Sequence, residues 1–191
     1  PERGGISMSE YYLISQLPSL DGIGENMPLP ITEERFFELC NQIAGKRIQN
    51  EIKKMTLLPL KTYEKSSSSL IEQWNNGERN LRLALAKIRA DKMKKTFDIE
   101  NNVLSSELLK IANMATDIES PLEAEKFLNN YRLEFLETLR PMDNFSGEFI
   151  YYYGLKLKLI SHIKQFDSNV GEMAYKNIYN SIMNGDRLEE I

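Results

Sequence analysis

LIEQWNNGERNLRLALAKIRADKMKKTF, residues Leu70–Phe97, decides the fold class. Leu70, Trp74, Gly77, Leu81, Ala84, Leu85 and Ile88 recur at spacings of three and four, one face of a helix. Leu83, Ala86, Ala90, Met93 and Phe97 form a second stripe nearly opposite the first at 100° per residue. A helix apolar on two sides is expected to be central, with neighbours on both. The pattern predicts a helix running to about Lys95. The serine run Ser66–Ser69 before it is either a linker or a cap, since a serine hydroxyl can accept a hydrogen bond from the first helical turn.

Working outward, the helical period persists. Thr32 opens a helix with Glu33 and Glu34 in its first turn, where they favour the positive end of the dipole. Phe36, Leu39, Cys40 and Ile43 form its buried stripe. Arg47–Leu58 carries Ile48, Ile52 and Met55 and stops at Pro59. Asp21–Pro30, with Gly22, Gly24, Pro28 and Pro30, reads as a loop. Ser9–Leu20 is too short for periodicity to separate strand from helical turn.

Beyond the long helix, Asn101-Asn102 interrupts, and Ser105 or Ser106 caps a short helix to about Thr116. Ser120, Pro121 and Glu123 are a start signal for the next. Serine and glutamate can satisfy each other's terminal N–H groups, and proline at the first position loses no needed donor. That helix runs to Pro141. Asn144 or Ser146 starts another through Phe166, and Glu172 a last one. The prediction is an all-α, multi-helix bundle of about six or seven helices with a long central helix. Residues 8–60 form an N-terminal segment with a helical pair, and 66–191 the larger bundle, packed with it as one unit. Residues 1–7 read as an expression remnant before Met8. Asp186–Ile191 stops inside a helical pattern, so the native chain is expected to continue.

Composition narrows the chemistry. The 191 residues contain one cysteine and one histidine, with a formal charge of -4. Cys40 lies in an apolar stripe and reads as a buried hydrophobe. His162 lies mid-helix with no motif around it. Zinc sites and nucleophile–histidine pairs need more than this. No phosphate-binding glycine loop is present, and Gly22-Ile23-Gly24 precedes a proline-rich loop rather than a helix. The adjacent carboxylates Glu33/Glu34 and Glu189/Glu190 point to different helix faces. No catalytic, metal or cofactor residue is expected, and no apolar run reaches the roughly 20 residues that span a bilayer.

Two features point to partners. Arg79–Lys95 is basic, and Arg82, Arg89 and Lys92 are candidate contacts to an acidic protein; Glu78 and Arg82 are also spaced for an i,i+4 ion pair. The same cations on nucleic acid are the alternative, although the acidic whole and the lack of interleaved aromatics argue against it. Tyr151, Tyr152 and Tyr153 spread over most of a helix circumference, so they should not all fit in one core, and tyrosine is favoured at interfaces.

The order of several motifs adds a resemblance. YYLISQLPSL at 11–20, MPLPI at 27–31 and FFELC at 36–40 are followed by Trp74, ERNLR at 78–82, LALA at 83–86 and Arg89-Ala90. EAE at 123–125, Tyr131-Arg132, GLKLKL at 154–159, Phe166-Asp167 and Gly171 complete the series. Together they resemble a small bacterial family encoded with V/A-type ATPase genes and described as C-subunit-like, after the helical socket between rotor shaft and membrane ring. The socket protein proper is larger and built of repeated helical units, and this chain has room for part of that. The resemblance implies a non-catalytic, cytoplasmic adaptor of the central stalk. It would link the rotor shaft to the membrane ring, stay peripheral to the inner membrane through the complex, and use no cofactor.

Overall fold

The computed structural model describes residues 8–23, 27–59, 66–97, 104–165 and 179. Seven helices run through them: α1 (Met8–Gln16), α2 (Glu33–Ile43), α3 (Lys46–Lys54), α4 (Ser69–Lys92), α5 (Ser106–Asp117), α6 (Pro121–Thr138) and α7 (Gly147–Lys164). No strand occurs among the described residues, and the protein is an all-α bundle. The expected helix from Glu172 lies outside them apart from Tyr179, as do the stretches 1–7 and Asp186–Ile191, Asn101-Asn102, Phe166, Asp167 and Gly171.

Local chemistry sets the helix starts. Thr32, Ser68, Ser105, Ser120 and Ser146 hold extended backbone, and each accepts from an N–H three residues on. Each thereby satisfies one of the otherwise orphaned donors of a first turn. Ser68 settles the role of the serine run. Its hydroxyl also donates to Glu148 Oε2 at 2.6 Å, and Glu148 accepts from the Leu70 N–H at 3.1 Å. One carboxylate from the first turn of α7 thus completes the cap of α4, so the junction is a packed cap. At the other end Lys94 adopts φ 55°, closing α4 three residues before the sequence pattern runs out.

Two apolar clusters share the molecule. The first gathers α1, α2, α3, the start of α4, Leu136 of α6 and most of α7. Segment 8–60 and the later helices therefore bury one common core. The second, smaller cluster holds Leu81, Ala84 and Leu85 of α4, Leu108, Ala112 and Ala115 of α5, and Leu128 of α6. Alanines on both partners let α4 and α5 lie close. α4 crosses from one cluster to the other, which gives its first stripe two different floors.

The second stripe of α4 departs from expectation. Ala90 is buried, but Leu83 and Ala86 are half-buried and belong to neither cluster, and Met93 and Phe97 are exposed. The most enclosed helix is instead α7, which packs against α2, α3, α4 and α6 and buries every residue from Ile150 to Leu157. This corrects the expectation for the tyrosines. Tyr151, Tyr152 and Tyr153 are 4, 2 and 4% exposed and all belong to the first cluster. A helix with neighbours on every side gives each ring a core to enter, whatever its angle on the helix.

Candidate protein-interaction surfaces

Where the clusters meet, a charged joint replaces apolar packing. Glu78 is 3% exposed and accepts from Arg82 Nε at 2.9 Å and from Arg132 Nε at 3.1 Å. Arg132 also donates to Asn129 Oδ1 at 2.8 Å and Glu125 Oε1 at 3.0 Å. His162 Nε2 stands 3.9 Å from the same Glu125 oxygen, at the edge of the network. The guanidinium fork lets one side chain of α6 satisfy a buried carboxylate of α4 and a half-buried carboxylate of its own helix. Arg82, a sequence-predicted contact residue, is thus committed to Glu78 while its side chain stays partly exposed.

A second polar cluster anchors the loop after α1. Gly22, at φ 72°, turns the chain after Asp21, a conformation that glycine adopts without strain. Lys156 Nζ donates to Asp21 Oδ1 at 2.6 Å and lies 2.7 Å from Glu137 Oε1. Tyr152 donates to the same Glu137 oxygen at 2.7 Å, and Tyr153 donates to the Pro18 carbonyl at 2.8 Å. The Lys156 hydrogen bond holds the Asp21 carboxyl below its ordinary range. Burial pushes the Glu137 carboxyl up, but the bonds from Lys156 and Tyr152 outweigh it and leave it low. Burial raises the Tyr152 phenol to about 12. The tyrosines therefore act as internal ties, and their hydroxyls fix the floor of an open cleft.

That cleft, of about 350 Å³, lies between α1 and the α6–α7 turn and is walled by Tyr11, Leu17, Phe145 and Phe149, with Arg140 at its rim. Tyr11 and Phe145 stack across it at 4.8 Å. Near this pair in the chain lie exposed apolar residues: Met8 is 84% and Tyr12 57% exposed, and Met142 is fully exposed. Met8 is one helical turn from Tyr11 and Tyr12, and Met142 is three residues before Phe145, so exposed apolar residues flank both members of the stacked pair. Contiguous exposed apolar surface marks contact sites more than scattered apolar residues do. The sequence reading missed this patch, since Ser9–Leu20 was ambiguous between strand and helix and its outward face could not be drawn.

The other predicted contacts border a different groove, of about 560 Å³, between α4, α5 and the start of α6. Lys92 Nζ donates to the Thr116 carbonyl at 3.0 Å and to Asp117 at 2.7 Å, closing the C-terminal end of α5. Arg89 is exposed on the rim. The structure brings Arg89 and Lys92 together there. Arg82 belongs to the charged joint, and the three tyrosines lie in the first core.

Cys40 is buried, and burial raises its thiol to about 12, the behaviour of a packing residue. Among the described residues no three His, Cys, Asp or Glu side chains are placed to hold a metal ion, and no helix is long and apolar enough to cross a membrane. Compared with family models, curated proteins and solved structures, the chain matches none.

Proposed function

We propose that this chain is a non-catalytic adaptor that holds other proteins together, and that its place is the central stalk of a V/A-type ATPase, between rotor shaft and membrane ring. The observation that carries the contact role is the Met8–Tyr11–Tyr12–Met142–Phe145 patch, held on α1 and the α6–α7 turn. Aromatic and methionine side chains supply large contact area, and a patch on a rigid frame loses little entropy on docking. The frame beneath it is stiff: the Lys156 cluster ties the loop after α1 to α6 and α7. The stalk assignment rests on the ordered resemblance. Several of its motif residues (Glu78, Arg82, Glu125 and Arg132) meet in one network, and Lys156 centres the other.

The test is gel filtration of the protein with purified shaft and ring proteins at micromolar concentration. Co-elution with either is expected, and its loss in Tyr12→Asp or Met142→Asp, with an unchanged melting temperature. Absence of co-elution with both would overturn the stalk assignment. The nucleic-acid alternative is less well supported, because two of its three cations, Arg82 and Lys92, are engaged by Glu78 and Asp117.

A further inference from the structure

The groove between α4, α5 and α6 differs in chemistry from the apolar patch. Its floor is Leu85, Ala115 and Leu128, with Ala124 on the α6 side. Its rim is basic. Arg89 has no ion-pair partner among the described residues, whereas Lys92 beside it is paired with Asp117 and Arg82 with Glu78. Asp117 is paired with Lys92, and Glu125, the acid on the groove wall, is held by Arg132. The groove therefore offers an apolar trough with one uncommitted guanidinium above it. The cations continue past it with Lys94 and Lys95, both exposed.

We propose that this groove docks an acidic amphipathic helix of a partner protein, laying an apolar side chain on Leu85, Ala115 and Leu128 and a carboxylate on Arg89. A planar guanidinium receives a carboxylate in a two-point fork, and an apolar stripe laid into a trough is a recurring mode of helix recognition. A purely polyanionic partner would use the rim and leave the trough empty. Ala124 lies on the α6 wall of this groove and Arg140, just beyond the far end of α6, borders the apolar cleft. The helix from Ala124 to its end at Thr138 separates the two by roughly 20 Å. The inference rests on the adaptor reading and deepens it: the molecule presents one apolar and one basic docking face, a helix length apart, to two different partners.

The probe is a fluorescein-labelled amphipathic peptide with leucines on one face and glutamates on the other, beside a counterpart with lysines for the glutamates. Anisotropy is read on the full chain. Saturable binding of the acidic peptide is expected, weakening with salt and at least tenfold weaker in both Arg89→Glu and Ala124→Trp, which fills the trough. Circular dichroism confirms that each variant is folded. The lysine peptide should not bind, and Tyr12→Asp should bind the acidic peptide as the parent does. No saturable binding overturns the proposal. So does binding that Arg89→Glu weakens but Ala124→Trp does not, or competition by duplex DNA or anionic vesicles that depends on Arg89 alone; each would make the rim a general polyanion surface. Loss of co-elution with shaft and ring, with peptide binding intact, would strike the stalk assignment and leave the groove standing. Co-elution intact with no peptide binding would do the reverse.

Discussion

At the scale of single residues, the buried charges carry the sharpest consequences. Glu78 is almost inaccessible and depends on Arg132 for two of its hydrogen bonds. Arg132→Ala leaves a carboxylate in the interior with only Arg82 beside it. Breaking a buried pair from one side costs about 3 kcal/mol, whereas replacing both partners by apolar groups costs far less. Urea denaturation should show a loss of that order for Arg132→Ala, and a smaller one for Glu78→Met combined with Arg132→Met. A neutral Arg132→Ala would mean that the joint contributes nothing to stability. The second cluster predicts a pH dependence. Asp21 and Glu137 both titrate below their ordinary values in the fold, the first through Lys156 and the second through Lys156 and Tyr152 against the opposing effect of burial. The folded state thus binds fewer protons than the unfolded chain near pH 4, and its stability falls as pH drops through and below that range. Lys156→Met should flatten this acid limb when urea midpoints at pH 7, 5 and 3.5 are compared. An acid limb of unchanged steepness would show that the lysine does not hold these carboxylates down.

At the scale of elements, local signals were legible and neighbour counts were not. Thr32, Ser105, Ser120 and Ser146 could be named as helix starts, or as one of two candidates, because a cap is a bond between residues three apart. The Ser120 signal is half fulfilled: its hydroxyl accepts from the Glu123 N–H at 3.4 Å, while the Glu123 carboxylate faces Lys126. The i,i+4 spacing of Glu78 and Arg82 likewise became a contact of 2.9 Å. Periodicity could not say which helix is wrapped by others. FIYYYGLKLKLI, at 149–160, is apolar nearly all round, the pattern of a helix buried on every face, and it identifies α7 once read that way. Nor could sequence reveal that Arg132, 54 residues away, would find Glu78. Two predictions belong here. Ser68 caps α4 while buried and bonded to Glu148, so Ser68→Ala should lower stability by about 1–2 kcal/mol in thermal or urea unfolding. Gly77 faces the Phe135 ring, which a Cβ would strike. Alanine gains about 1 kcal/mol in helix propensity, but displacing a ring stacked between Trp74 and Tyr131 is expected to cost more. Gly77→Ala should therefore destabilise the protein, and a stabilised variant would show that the ring has room to move.

At the scale of the whole molecule, the question is whether two cores behave as one. The described residues place twenty-three buried apolar residues in the first cluster and seven in the second. The smaller is too slight to persist alone, so its order must be imposed by what joins it to the larger. Three connections do this: α4 and α6 run through both, and the Glu78–Arg132 network sits between them. Trp74 is the sole tryptophan, is 1% exposed, and stacks on Phe135 within the first cluster. Its fluorescence therefore reports the larger core, while circular dichroism at 222 nm reports all the helices. In the parent protein the two urea transitions should coincide, as expected of a single cooperative unit. Arg132→Ala weakens the joint without touching either apolar floor. The helical signal should then begin to fall at lower urea than the fluorescence, because α5 and the adjoining parts of α4 and α6 loosen first. Coincident transitions in the variant would show that helix continuity alone couples the cores. Separated transitions in the parent would show that the groove bordered by Arg89 and the patch around Tyr12 stand on independently melting parts, and a frame of that kind could not transmit force between two docked partners.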